Sequence, residues 1–334
     1  MFDTRAADQI MAKFLDRNGP SDNDITQRTL TDRGRDTGRM VDDSARLGSR
    51  QPWGPGRAGA DPPEARLPEA DPPEARLAGP SEVRHARLLV AKSSAILVLT
   101  GAGISTDSGI PDFRGPQGLW TRDPEAEKLS SIEHFVSDPE VRRRAWLARL
   151  ASPVDAAEPN AGHRALADLE RRGTLDLLVT QNIDGLHLAA GNSPGRVVEI
   201  HGSTRQATCL TCGARWPIAE VLDRVRAGDA DPRCTEPVGR GTCGGLVKAA
   251  TISFGQPLVE HDLERAERAA ARCDLVLAIG TTLSVYPAAG LVPAAKRAGA
   301  TLVIVNGGPT EMDGLADAVV RGSISEVLPA VVGA

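Results

Sequence analysis

The sequence predicts an α/β fold, a doubly wound parallel sheet of Rossmann-like type with a small inserted module. Three observations lead to this. Helical stretches alternate with short continuous apolar runs, and each run ends on glycine or a polar residue. One segment that breaks the alternation carries four of the five cysteines. Such alternation implies right-handed crossovers between parallel strands buried on both faces.

Residues 1–80 stand apart. They are rich in Arg, Asp, Gly and Pro and contain the tandem repeat "ADPPEARLPE", "ADPPEARLAG" from Ala60. Proline pairs remove backbone donors, and a segment with so little apolar surface cannot offset the entropy of ordering, so a disordered tail is expected. From Ser81, "EVRHARLLVAKS" reads as a helix and "AILVLTGAG" as a buried strand running into a tight turn. The pairing recurs in "HRALADLERRG" with "DLLVTQNIDGLH", in "DLERAERAAARC" with "DLVLAIGTTLS", and in "AAGLVPAAKRAG" with "TLVIVNGG". The expected division is 81–202 and 250–334 as the sheet domain, with 203–249 as an inserted module of little periodicity. In an open parallel sheet ligands bind at the carboxyl ends of the strands. Gly101, Gln181, Gly280 and Asn306 fall at those ends and are expected to converge on one crevice.

Composition narrows the function. A net charge of −5 and 3% aromatic residues describe an aliphatic core and a chain without the basic excess of a nucleic-acid binder, so no direct nucleic-acid binding is expected. No signal-peptide pattern opens the chain and no apolar run reaches membrane-spanning length, so a cytoplasmic location is expected.

The stretch "GAGISTDSGIPDFRG" follows the first strand. Gly101 and Gly103 permit close backbone approach, and N–H groups beyond them could hold a pyrophosphate; a plain tight turn is the other reading. The third glycine comes at Gly109, too late for a dehydrogenase fingerprint, and no strand with an acid follows about twenty residues on, which disfavours hydride transfer. Pro111, Asp112, Phe113 and Arg114 then place a ring and a cation beside whatever the phosphates anchor. Gln181, Asn182, Ile183 and Asp184 end the next strand, and His201 follows "VVEI". A lone histidine is commonly a satisfied core or surface residue; this one lies beside amides and a carboxylate.

These motifs together, with "ISFG", "GTTLSVYPAAGL" and "IVNGGPT", resemble the sirtuins, NAD-dependent protein-lysine deacylases, in order and approximate spacing over about Ser81–Ala334. The "GPQGLWT" extension looks like the branch holding nuclear histone-deacylating sirtuins and many bacterial relatives. The resemblance implies NAD as co-substrate, with Ala102, Gly103 and Arg114 on the phosphate side and Asp112 in the same cofactor loop. Asn182, Ile183 and Asp184 would line the nicotinamide pocket, Phe113 would shield the sugar after nicotinamide leaves, and Gly280, Thr281, Ser284 and Asn306 would contact the adenosine half. His201 would act as general base, with Gln181 and Asn182 beside it. Acylated-lysine proteins or peptides would lie along Ile252, Phe254 and Gly255, paired as an added strand. Ala249 and Gln256 stand where the family usually shows Pro and Glu.

Sirtuins that favour acidic acyl groups carry Tyr and Arg where Trp146 and Arg149 stand here. These two could read the acyl group, or could simply pack or face solvent. Mono-ADP-ribosyl transfer to protein and non-enzymatic NAD sensing are the alternatives to deacylation.

Cys209-x-x-Cys212 followed by Cys234 and Cys243 has the turn spacing for one tetrahedral zinc, against unmetallated loop thiols. Four sulfur ligands leave no position for an activated water, so such a zinc would be structural. Cys273 reads as a small buried residue.

Overall fold

The computed structural model describes residues 77–113, 115, 118–122 and 128–334. All but the last three residues of the tandem repeat, nearly all of the expected tail, Arg114 and part of "GPQGLWT" lie outside the described residues.

Six strands form one parallel sheet: β1 (Ile96–Thr100), β2 (Leu175–Thr180), β3 (Val197–Glu199), β9 (Leu275–Ile279), β10 (Thr301–Val305) and β11 (Ala318–Val320), in the order β11-β10-β9-β1-β2-β3. The chain leaves β1 toward β2 and β3 and later returns to β1's other side with β9. The point where strand order reverses therefore lies between β1 and β9, where such sheets bind ligands.

Alternate residues of each strand face opposite layers. Ile96, Val98, Leu277 and Val303 pack under α1 (Pro80–Lys92), α5 (Ala161–Arg171) and α10 (Ile324–Val332). Leu97, Leu99, Val276 and Ile304 pack under α8 (Glu260–Arg272) and α9 (Leu291–Arg297). Every residue of β1 is buried, as its unbroken apolar run predicts. Burying each such aliphatic side chain contributes about 1.5–3 kcal/mol. The strand β11 and helix α10 were not expected from sequence, although α10 supplies Ile324, Leu328, Val331 and Val332 to the core.

Between β3 and β9 lies a second, antiparallel sheet of β4 (Gly202–Cys209), β5 (Arg215–Pro217) and β8 (Val247–Thr251), and a β6–β7 hairpin of Pro237–Val238 and Gly241–Thr242. The expectation of little periodicity here is wrong for one stretch. Ile218, Val221, Leu222 and Val225 recur at helical spacing, and α7 (Ile218–Arg226) buries all four. Nor is the insert packed on itself alone. Preceding it in the chain are the short α2 (Leu119–Arg122), α3 (Ile132–Ser137) and α4 (Pro139–Leu150), the last started by Pro139 at its first position and capped by the Asp138 carboxylate. Trp146 of α4 shares a core with Ala207, Cys209, Leu222 and Val247 of the insert. Arg142 of the same helix clamps Asp231 through two 2.8 Å bonds and donates to the Phe135 and Val136 carbonyls. A 3% exposed arginine needs such full pairing to offset its desolvation. The short α6 (Leu186–Ala189) follows β2. Among the described residues no helix is long and apolar enough to cross a membrane.

Candidate active site

The sheet's register fixes where the site can form. Thr180 and Ile279 both pair with Thr100; Glu199 pairs with Thr180, Val305 with Ile279, and Val320 with Val305. These six residues form one line across the sheet, so Gly101, Gln181, Gly280 and Asn306 emerge together along one edge.

Gly101, Gly103 and Gly280 weld two of those ends. The Gly101 amide donates to the Ile279 carbonyl at 3.0 Å and the Gly103 amide to the Gly280 carbonyl at 2.9 Å. A Cβ on Gly101 would lie 2.7 Å from the Gly280 oxygen, and one on Gly280, whose φ is +61°, would lie 2.4 Å from the Ile104 nitrogen. The primary use of these glycines is thus backbone-to-backbone contact at the switch point, and the Gly101 and Gly103 amides are engaged there. Ala102–Ser108 then forms a 3₁₀ helix closed by Gly109 in the left-handed region, which explains the late glycine. Asp112 organises the next turn, its carboxylate accepting from the Gly115 amide at 3.0 Å, and half-buried Phe113 sits within that turn.

A buried polar network crosses the crevice floor. Ser105 Oγ donates to Asp184 Oδ2 at 2.8 Å and accepts from Asn182 Nδ2 at 3.0 Å. Asn182 Nδ2 also reaches the Gly101 carbonyl, and Asp184 Oδ1 accepts from the Leu186 amide at 2.9 Å. Behind Ser105 stands His163. The Asn160 amide donates to its Nδ1 at 3.3 Å, which leaves Nε2 as the protonated nitrogen facing Ser105 Oγ at 3.4 Å. Asn160 itself caps α5 and donates to the Ile104 carbonyl at 2.7 Å, so one residue starts the helix and anchors the 3₁₀ turn. Burial pushes the His163 imidazolium down to about 4, partly opposed by the Asp184 charge. His187, 5.0 Å from His163 ring to ring and bonded to Thr100 Oγ1, is pushed well below the ordinary range by burial and by His163. Both imidazoles are neutral at pH 7.

Gln181 bridges two strand ends, its Nε2 donating to Thr281 Oγ1 at 3.0 Å. Its carbonyl lies 3.1 Å from His201 Nδ1. A carbonyl only accepts, so Nδ1 carries the proton and Nε2 keeps its lone pair. Burial lowers the His201 pKa, and the Gln181 bond partly restores it. His201 follows fully packed Ile200 and precedes Gly202, whose φ of +75° and contact with the Ala250 carbonyl exclude a side chain. At the ends of β9 and β10, Thr281 Oγ1 accepts from the Leu283 amide, Ser284 Oγ bonds Thr282 Oγ1 at 2.8 Å, and Asn306 Nδ2 donates to the Gly308 carbonyl. Ile183 gives its carbonyl to the Thr204 amide and hydroxyl.

The segment after β8 meets this edge directly. The Ile252 amide donates to the His201 carbonyl at 2.7 Å, and Phe254 pairs through both backbone groups with Ser130 and Ile132. Gly255, with φ of +81°, turns the chain beside Ile132. Gln256 accepts from the Ser253 amide through Oε1, a role that needs only an oxygen. Before Ala249, Lys248 donates to the Thr251 carbonyl and hydroxyl, and burial pulls its pKa down to about 8.

Trp146 and Arg149 are brought inward. Trp146 is 2% exposed within the insert's core, the packing alternative of the two readings. The Arg149 guanidinium meets Asp155 at 2.7 and 3.1 Å and the Thr204 carbonyl at 3.3 Å.

The four cysteines gather in the insert, their sulfurs all within 4.8 Å of one another. The Thr211 and Cys212 amides point at Cys209 Sγ at 3.3 and 3.5 Å, and a side chain on Gly245 would strike that sulfur. Amides aimed at sulfur and four thiols around one point fit a tetrahedral zinc. Cys273 is buried at the start of β9, where desolvation pushes its thiol up to about 11.

Sequence reasoning missed Ser105, Asn160 and His163. A signal was present: "NAGH" has the three-residue spacing of a capping box ahead of a helix, and Ser105 lies in the glycine stretch itself.

Comparison with known proteins identifies the family. A relative from Streptomyces coelicolor, named NAD-dependent protein deacetylase 2, is 52% identical over 236 residues, covering 71% of this chain and 95% of its own. NAD-dependent protein deacetylase 1 of Bradyrhizobium diazoefficiens is 45% identical, covering 73% and 93%. A solved structure on the mechanism and regulation of Sir2 enzymes shares 41% identity at a TM-score of 0.67, covering 76% of this chain and 97% of its own. Sir2 bound to an acetylated peptide shares 32% at 0.64, covering 73% and 94%. The family model described as Sir2 matches residues 101–287, from the first glycine of the crevice into the loop after β9, and the chain belongs to the Sir2 family.

Proposed function

We infer that this chain is an NAD-dependent protein-lysine deacylase, and the observation that carries the inference is the His201 ring held on the Gln181 carbonyl beside the Gln181–Asn182–Asp184 floor. The donor set fits NAD: a buried carboxylate and amide for the carboxamide end, and four strand ends in register for a long dinucleotide. NAD supplies the departing nicotinamide and the ribose that receives the acyl group.

The chain's own groups orient, shield and move one proton. Asp184 and Asn182 face the nicotinamide, their orientation set by Ser105. Gly280, Thr281, Ser284 and Asn306 take the adenosine half, and Ala102, Gly103, Asp112 and Arg114 the phosphate side. Phe113 excludes water from the reacting carbon. The Ile252 carbonyl orients the substrate lysine amide, and its fixed placement converts a collision into an effectively unimolecular step. His201 Nε2 withdraws a proton from a ribose hydroxyl as general base. Zinc, held by Cys209, Cys212, Cys234 and Cys243, is structural. Acyl-lysine proteins are the substrates, and we place the chain in the cytoplasm, where thiols stay reduced for metal.

The test is mass spectrometry of a reaction containing NAD and an acetyl-lysine peptide. Free nicotinamide, deacetylated peptide and O-acetyl-ADP-ribose in equal amounts are expected. ADP-ribose attached to protein would instead identify an ADP-ribosyltransferase, and no nicotinamide release with several acyl peptides would identify a sensor.

A further inference from the structure

At the opposite end of the sheet from the crevice, where the strands begin, lies a cleft of about 200 Å³ lined by Asp176, Gly195 and four arginines: Arg196, Arg265, Arg268 and Arg272. Three of them, at positions 265, 268 and 272 of α8, have the spacing of one helix face. Arg196 comes from the turn before β3 and completes the wall.

The charges do not cancel. Asp176 holds Arg272 at 2.7 Å and lies 3.7 Å from Arg196, and Glu264 holds Arg268 at 3.2 Å. Arg265 donates to the Gly195 carbonyl at 2.8 Å, and among the described residues no carboxylate pairs with it. Four guanidinium groups thus face two carboxylates on a chain whose total charge is −5. Like charges are costly to cluster, and a concave wall concentrates their field.

We propose that this cleft is an anion site for an oligophosphate, either an inorganic chain or the phosphate end of a nucleotide. Planar guanidinium forks match phosphate oxygens two at a time, which a single carboxylate would not saturate. The volume is below the roughly 300–1,000 Å³ that encloses a whole organic ligand, so the cleft takes the charged end of its ligand. Nothing in the deacylation chemistry uses these residues.

Titration calorimetry on the full zinc-loaded chain at low salt, with inorganic tripolyphosphate and no divalent cation, tests this. Saturable binding with a Kd below about 1 mM is expected. The double variant Arg265→Gln, Arg268→Gln leaves the Asp176 pairs intact, so it should keep its melting temperature and its NAD-dependent deacylation while weakening binding about tenfold or more. A second arm uses uridine triphosphate, read as the difference between wild type and the double variant so that binding at the NAD crevice cancels. Tighter binding of it than of tripolyphosphate identifies a nucleotide ligand, and equal binding identifies the inorganic chain. No saturable binding of either, or binding unchanged in the double variant, overturns the proposal and leaves the arginines as a solvated face of α8 and the turn before β3.

Discussion

His201 and Ile252 are joined by a 2.7 Å bond between the histidine's carbonyl and the isoleucine's amide, while the histidine's ring is held from the other side by Gln181. The proposed base and the proposed substrate-orienting residue therefore move as one unit. His201→Ala should lower the deacylation rate by about 10²–10⁴-fold, the range for losing a positioned base. Burial lowers the His201 pKa, so the ring is already neutral below its ordinary 6.5. The acid limb of kcat/KM against pH should accordingly have its midpoint below 6.5, and a midpoint above that value would contradict the assignment.

Gly280 and Gly109 separate two kinds of glycine requirement. Both have positive φ, but a Cβ on Gly280 meets the Ile104 nitrogen at 2.4 Å, while one on Gly109 meets nothing within 4 Å. Gly109→Ala should cost about 1 kcal/mol from conformation alone. Gly280→Ala adds overpacking of about 1–3 kcal/mol and pushes the two strand-end loops apart, so it should also raise the KM for NAD. Urea unfolding of both variants, with NAD kinetics, checks the difference.

His163 makes stability depend on pH. Its folded pKa of about 4 lies below the 6.5 of an unfolded histidine, so between those values the unfolded chain binds more protons. The stability contributed by neutral His163 is fully present above 6.5 and is lost as pH falls toward 4. His187 acts in the same direction. Melting temperature should therefore fall across that window, and His163→Gln should flatten the slope. An unchanged slope in the variant would show that other groups control it.

The sheet was legible because its strands announce themselves twice, as unbroken apolar runs and as glycine or amide residues at their ends. "AILVLTGAG" gives both signals, and β1 with Gly101 sits as expected. Three-residue strands such as β11 carry too few residues for either signal. The crevice edge could be read because four strand ends in register is a topological consequence. The network behind it could not, since Ser105, Asn160 and His163 meet only after the 3₁₀ turn and α5 pack together across more than fifty residues of chain. Trp146 and Arg149 kept two readings for a related reason: a position in a helix does not tell which neighbour covers it, and here the insert covers Trp146.

Removing zinc should silence the enzyme without touching a catalytic group. β4 runs from Gly202, next to His201, to Cys209 of the cysteine cluster, and β8 runs from Val247 to Thr251, next to Ile252. Loosening the cysteine cluster frees both strands at their far ends. A strong chelator should lower the melting temperature and abolish deacylation, with restoration by added zinc. Trp146 and Trp216, packed in the same core, should report the change as a red shift of fluorescence. Retained activity in fully metal-free protein would mean that the insert holds its shape by packing alone.

Acyl preference should turn on Asp155 more than on Arg149. The Arg149 guanidinium is 8% exposed and already engaged by Asp155, whereas Asp155 is 58% exposed. A succinyl carboxylate would have to replace Asp155, so the wild-type chain should act better on acetyl-lysine than on succinyl-lysine. Asp155→Asn leaves the buried Arg149 guanidinium with the Thr204 carbonyl and a neutral amide, so it should cost about 1–3 kcal/mol of stability and raise the succinyl-to-acetyl ratio of kcat/KM several-fold. Adding Arg149→Met should erase the gain, because the receiving cation is gone. Were the ratio indifferent to Asp155→Asn, Arg149 would be a purely structural brace between α4 and the Thr204 carbonyl, and the acyl group would be read elsewhere.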